Sequence, residues 1–411
     1  MRVLPITCYR PTYHAASTFA SLPYDVYNRE EAAAYVAEHP ESFLAIDRPE
    51  TAFGPDQDPY APEVYVKAGE LIRAKAYEGT LLKDVTPCYY LYRLEHEGRS
   101  QMGVVGACSV DEYDQGIIRQ HEKTRPEKTA DRVEHILATG AQTGPVFVTY
   151  RDSDAVNVLM GLASMADPLY DFTDEQGVRQ TVWRVAREVA VQAIEVAFSC
   201  VPCAYIADGH HRASAAAEVC HRARAAAADD TELPSDFFLA VLFPASQLDI
   251  MAYNRVIKDT CGLDEDELLA AVRDAGYVVG EAQDEPVEPA EPRELGMYAF
   301  GHWHALRYEG PAPDEADDPA GTLDVSLLQE RVLGPVLGID DPRTSDRITF
   351  VGGIEGTAGL ERRAGTAGVA FSLYPTSIDA LMQVSDAGEL MPPKSTWFEP
   401  KLRSGLFIRR V

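Results

Sequence analysis

The chain has 411 residues, enough for about two or three domains, and its 46% apolar and 25% charged residues are the balance of a packed protein rather than a disordered one. Acids outnumber Lys and Arg by 65 to 37, a net charge of −28, which sets the surface against nucleic acid, whose binding rests on neutralised phosphates. No stretch approaches the ~18–20 apolar residues that span a bilayer, the start lacks the order of a secretion signal, and seven scattered cysteines suit a reducing compartment. These features predict a cytoplasmic protein with neither nucleic acid nor membrane as partner.

Along the chain, Leu22-Pro23-Tyr24-Asp25 reads as a rigid turn. Asn28 with Glu31 three residues on predicts a capped helix over about 29–38. A second helix is expected over 63–78, stopped by Gly79, then a hairpin turning at Glu97-Gly98. A polar helix over about 124–138 precedes a buried strand at 145–150, and residues 178–199 read as one long amphipathic helix. A short strand, Ala204 to Ala207, leads into an Ala-rich helix over about 213–228, and a strand at 237–243 and the segment Met251–Ile257 close this half. Beyond lie a helix over 264–276, two acidic Pro-rich loops flanking strands around 296–308, helices over 324–337 and 377–387, and strands at 347–351 and 367–373. Without strict β-α-β alternation the fold class is α+β, with a core domain over 1–260 and a smaller α+β lobe over 261–411.

Three clusters carry chemistry. In Ala207-Asp208-Gly209-His210-His211-Arg212 a strand ends, a glycine turns the chain and a helix begins, which aims unpaired N–H groups at an anion. Gly209, His211 and Arg212 would hold the phosphate, His210 would move a proton, and Asp208 would accept one or hold a metal ion. The second cluster is Arg119, His121, Glu122, Lys123, Arg125, Lys128 and Arg132. It holds two of only eight lysines and would place Arg119, Arg125, Lys128 and Arg132 on phosphates, with His121 and Glu122 as an acid–base pair or, with Asp208, as Mg2+ ligands. The third is Lys394-Ser395-Thr396-Trp397 among prolines, a stiff loop suited to closing over a phosphate. Each has a plainer reading: a capped turn, a solvated helix face, an exposed loop. Cys200-Val-Pro-Cys203 has redox spacing, but no second pair completes a zinc site, and the strand that follows argues for inert thiols.

Taken in order, these motifs resemble the DUF1015 family of bacteria and archaea across nearly the whole chain. The resemblance rests on Leu22-Pro23-Tyr24-Asp25-Val26, Pro40-Glu41-Ser42-Phe43-Leu44, Arg119-Gln-His121-Glu122 with Thr124, Pro126, Asp131 and Arg132, Ile206 to Arg212, and Pro393 to Thr396 before Pro400-Lys401. The chain departs from the family at Gln120, often Lys, and at Tyr253-Asn254-Arg255, often Thr-His-Arg. The Gly-His-His-Arg turn is also similar to the phosphate-gripping turn of the ParB and sulfiredoxin superfamily, which includes nucleotide-dependent free-serine kinases. That likeness implies a mixed-sheet core and a nucleotide or phosphorylated metabolite at Gly209–Arg212, without naming the reaction. Together the clusters and the resemblance lead to the expectation of an enzyme that uses a nucleotide and Mg2+ to move a phosphoryl group on a small hydroxylated metabolite, the serine/phosphoserine class first. A metal-dependent hydrolase using Asp208, His210, His211 and His121, and a ParB-like nucleotide-binding regulator, are the alternatives. The oligomeric state stays open, a homo-oligomer included.

Overall fold

The computed structural model describes residues 1–411 and forms two units. One comprises residues 1–120, 124–248 and 400–411, the other 121–123 and 249–399.

The first unit is built on a nine-stranded sheet. Its strands run Ile118–Arg119, Ala204–Asp208, Val146–Tyr150, Phe237–Pro244, Arg99–Ser109, Tyr89–His96, Arg179–Val185 and Tyr170–Thr173, with Val3–Leu4 also paired to Arg99–Ser109. Ile118–Arg119 is parallel to Ala204–Asp208 and Val146–Tyr150 to Phe237–Pro244, while the remaining neighbours are antiparallel, so the sheet is mixed. All eight residues of Phe237–Pro244 are buried, as expected of an apolar strand covered on both faces. Helices Glu188–Ser199 and His210–Ala226 bring Ile194, Phe198, Ala213 and Ala216 into one core with Val148, Ile206 and Leu242. A second, four-stranded sheet has the order Leu81–Lys83, Cys8–Pro11, Ile408–Arg410, Ala141–Gln142. Residues 408–410 thus lie between two strands from the first half of the chain.

Residues 178–199 are not one helix. Arg179–Val185 is a strand in antiparallel register with Tyr89–His96, from Arg179 opposite Glu95 to Val185 opposite Tyr89, and the helix starts only at Glu188. Thr, Val and Trp at Thr181–Trp183 suit a pleated, half-buried surface better than a helix, and four consecutive residues, Gln180–Trp183, are buried there. The expected hairpin forms as Tyr89–His96 and Arg99–Ser109, with Glu97 at φ 48° and Gly98 at φ 80° in its turn.

The second unit holds a six-stranded antiparallel sheet ordered Tyr277–Val279, His302–Tyr308, Glu294–Ala299, Val369–Leu373, Tyr253–Ile257, Ile348–Gly352. Helix Glu265–Asp274 begins with a capping box between Asp264 and Glu267, and helix Ile378–Asp386 with a Ser377 cap. The helix expected over 324–337 is shorter: Asp324–Leu328 opens into a wider π turn over Gln329–Leu333. Its core gathers Leu268, Val272, Met297, Leu328 and Phe371. Because Tyr253–Ile257 pairs with Ile348–Gly352 and Val369–Leu373, the long segment of this unit starts before residue 260, at Asp249, and runs to Glu399. No helix in either unit is long and apolar enough to cross a membrane.

Candidate functional site

In the first unit the strand Ala204–Asp208 lies between Ile118–Arg119 and Val146–Tyr150, and its register shifts between Ile206 and Asp208. Gly209 then takes φ 89° and ψ 29°, the left-handed region that a side chain resists. Helix His210–Ala226 begins there with no side-chain cap. Its alanines let it approach the sheet closely: Ala213, Ala215, Ala216 and Ala217 are all buried. Buried His210 and half-buried His211 are its first two residues.

Asp208 does not cap this helix. One of its oxygens, Oδ1, accepts from the Gly209 amide at 2.8 Å, and the other, Oδ2, is 3.0 Å from the Lys401 ammonium. Lys401 is 13% exposed and Asp208 40%, so water screens this pair less than one on the open surface. Sequence reasoning did not place Lys401 in the site. Its signal was present, since Pro400-Lys401 closes the last family motif, but its partner lies 193 residues away.

Arg212 and Arg132 converge on one ring. The Arg132 guanidinium carbon is 4.0 Å from the centroid of Tyr24 and that of Arg212 5.7 Å, so one aromatic ring meets two cations. Arg132 is buried, bridges Asp131 at 2.9 Å and donates to the Asp47 carbonyl. Arg212 donates to the Pro145 carbonyl at 2.9 Å and stands 3.7 Å from Asp25. The cavity they line with Asp47 and His135 has a volume of about 30 Å³, the space of one water. Burial and the Arg132 cation hold His135 below its ordinary pKa, and its Nε2 meets the Ile46 carbonyl at 2.8 Å. Tyr24, buried and pushed up to about 12, therefore gives the Leu-Pro-Tyr-Asp motif a physical purpose. The expectation that Arg132 faces a phosphate meets a guanidinium already committed to Asp131 and Tyr24.

The other cations have partners or settings of their own. Arg119 donates to the Gly116 carbonyl at 3.2 Å and, like Arg151, lies 5.9 Å from the buried Tyr205 ring. Arg125, exposed, is 3.8 Å from Glu127, and Lys128 is half-buried in the first turn of helix Pro126–Thr139.

His121 and Glu122 belong to the second unit together with the Lys394 loop. His121 is buried, its Nε2 stands 3.2 Å from the Thr396 hydroxyl, and its carbonyl accepts from Met391 at 2.8 Å. Histidine and loop are thus brought together within this unit. Lys394 takes φ 59° and its ammonium lies 5.7 Å from the Tyr253 ring. The Ser395 hydroxyl donates to the Pro392 carbonyl at 2.6 Å, so it fastens the loop's own turn. Trp397 packs edge-on against Tyr253 at 5.0 Å, and a Cβ on Gly352 would come within 2.7 Å of its ring. That close approach accounts for this glycine. Arg255 is buried against the carbonyls of Tyr253 and Pro393 without a carboxylate, and burial pushes it down to about 10. Asn254 serves the fold, because its side-chain oxygen accepts from the Leu373 amide at 3.0 Å.

No group of three or more His, Cys, Asp or Glu side chains comes together to hold a metal ion, and both oxygens of Asp208 are engaged. This donor set does not fit a protein-held divalent ion. The cysteines are all free; Cys200 is exposed, and the Cys203 thiol lies 3.4 Å from the Tyr205 hydroxyl.

The chain belongs to the DUF1015 family, described as a protein of unknown function, whose model matches residues 3–326. No curated protein matches it. Solved structures similar to it include SbnI with a C-terminal truncation from Staphylococcus aureus, at 14% identity over 74% of this chain and 87% of that one, TM-score 0.38. A conserved hypothetical protein from Pyrococcus furiosus follows at 12% identity, 75% and 95% coverage and TM-score 0.36. A free serine kinase mutant in complex with AMP has 12% identity, 74% and 92% coverage and TM-score 0.38.

Proposed function

We propose that this protein binds a nucleotide through its phosphates at the turn Asp208–Arg212 and moves a phosphoryl group between that nucleotide and a small hydroxylated metabolite, with the serine/phosphoserine pair the first to test. The observation that carries this reading is the left-handed Gly209 opening a long helix without a side-chain cap, beside an Asp208–Lys401 pair at 3.0 Å. Amides at a helix start favour an oxyanion, and Lys401 adds a cation on the neighbouring carboxylate. The likeness of Gly209 to Arg212 to the ParB and sulfiredoxin turn supports the same ligand class. Phosphoryl transfer asks mainly for positioning and charge neutralisation, and a carboxylate can take the acceptor's proton. Asp208 is that carboxylate here, with Lys401 orienting it and His210 and His211 at the phosphate end. His121, Glu122, Lys394 and Thr396 belong to the second unit and carry no step of this reading. Arg212 acts by fixing the turn against Pro145 and Tyr24. Mg2+ enters only as the counter-ion that nucleotide phosphates bring from solution, and no step runs through it.

The test is calorimetric titration of the full chain with ATP, ADP and AMP, with and without Mg2+, alongside Lys401→Met and Arg212→Ala. A charge-assisted contact is worth ~1.5–3 kcal/mol, so each variant should weaken binding ~10-fold or more. Wild-type affinity in both removes the turn from the proposal. Absence of phosphoserine or another phosphorylated product from ATP with serine and related hydroxylated metabolites removes the reaction.

A further inference from the structure

A cavity of about 440 Å³ opens in the first unit between the start of the chain, the segment before strand Phe237–Pro244 and the last strand. Three cations line it, Lys83, Arg409 and Arg410, and Ile6, Leu233 and Phe237 supply apolar wall. None of the residues Asp208–Arg212 takes part.

Arg409 is the informative residue. In strand Ile408–Arg410 it is registered opposite Cys8 on one side and Gln142 on the other, and it is 8% exposed. Its Nη1 donates to the Phe237 carbonyl at 2.8 Å and to the Gln142 side-chain oxygen at 3.3 Å, and its Nη2 to the Pro234 carbonyl at 2.7 Å. Those contacts occupy three of the five N–H donors of a guanidinium, and every acceptor is neutral. The other buried arginines of this unit are neutralised: Arg132 by Asp131 and Arg403 by Asp174. A buried cation without an anion is costly, and burial accordingly pushes Arg409 down to about 10. Lys83 and Arg410, both exposed, form no ion pair. The acid on the wall, Glu232, is taken by Arg2 at 2.6 Å, and Asp84, behind Cys8, is taken by Arg10 and Arg184 at 3.2 and 3.5 Å. In a chain of net charge −28, three cations left without acids around one hollow run against the composition, and a concave wall focuses their field.

We propose that this cavity is a binding site for a small organic anion, a carboxylate or phosphate ester, that carries an apolar body. The anionic group would bind the open donors of Arg409 between Lys83 and Arg410, and the apolar body would lie along Ile6, Leu233 and Phe237. The volume falls within the ~300–1,000 Å³ usual for small-ligand sites. Arg–oxyanion geometry suits either head group.

The full-length chain is titrated with octanoate, with phenyl phosphate and with inorganic phosphate. Saturable binding of octanoate or phenyl phosphate is expected, at least 10-fold tighter than inorganic phosphate, and the favoured organic ligand identifies the head group. Arg409→Gln should abolish this binding. Because Arg409 also ties three chain segments together, the double variant Lys83→Ser/Arg410→Ser carries the test if that protein fails to fold, and it should weaken binding at least 10-fold. Failure of both organic anions to bind at millimolar concentration overturns the proposal, as does wild-type affinity in the double variant. That variant leaves the Asp208–Lys401 pair intact, so anion binding that persists in it while Lys401→Met weakens it belongs to the turn and counts against this cavity.

Discussion

Gly209→Ala isolates the torsion on which the candidate site turns. A methyl group built there would meet Val146 Cα at 3.5 Å and Arg212 Cδ at 3.7 Å, ordinary contacts, so sterics add little and the backbone decides. Holding a residue with a Cβ at φ 89° costs ~1–2 kcal/mol, against ~0.4–1 kcal/mol recovered because alanine restricts the unfolded chain. The net loss is ~1 kcal/mol, a fall in Tm of ~2–4 °C for a unit of this size. Gly209→Asn should lose less than alanine, since its side chain tolerates the left-handed region. Urea unfolding at unchanged m-value measures both. An alanine variant as stable as the parent, or an asparagine variant weaker than alanine, would show that the turn is not left-handed and would dissolve the geometry proposed for the phosphate.

Two further outcomes follow from burial. Asp324, accepting from the Arg293 amide at 2.9 Å, has its carboxyl pushed up to about 6 by burial. The fold therefore favours its protonated form, and its contribution to stability declines as pH climbs from about 4 to about 6. At ~1.4 kcal/mol per pH unit that decline is at most ~3 kcal/mol. Asp324→Asn should be the more stable protein at pH 7 and should lose this slope in denaturant melts; a parent-like pH profile would refute the assignment. Among the thiols, Cys200 and Cys261 are exposed and Cys203 half-buried, whereas Cys8, Cys88, Cys108 and Cys220 are buried and burial pushes each above the ordinary thiol range. Ellman's reagent should modify the first three in the native protein and the buried four only on unfolding; rapid native labelling of Cys8 or Cys108 would contradict the packing.

What the sequence disclosed was chiefly local. The Asn28–Glu31 capping box, the Glu97-Gly98 turn and the strand-turn-helix at Asp208 each depend on residues a few positions apart, and each forms as read. Misreadings came where distant partners decide. Residues 179–185 carry a pattern that either helix or strand could use, and only the waiting edge of Tyr89–His96 selects the strand. Tyr24, in contact with both Arg132 and Arg212, joins three segments over about 190 residues, so its motif could be noticed but not explained. The basic run at 119–132 shows how little adjacency says about partners. Adjacent charges suggested a shared role, yet Arg119 lies against Tyr205, Arg125 near Glu127 and Arg132 on Asp131. Arg409 escaped notice, and Arg255 was noticed only as part of its motif, because an arginine in sequence gives no sign of being buried without an acid.

The strand Ile408–Arg410, seated between Cys8–Pro11 and Ala141–Gln142, has a consequence for biogenesis. Contacts of such wide sequence separation form late and slowly. A ribosome-bound chain that has not yet released residues 400–411 carries an open groove where that strand belongs, and Asp208 still lacks its lysine. Closure of the small sheet and arrival of Lys401 are thus one event, so the proposed phosphate turn would become competent only once that segment has cleared the exit tunnel.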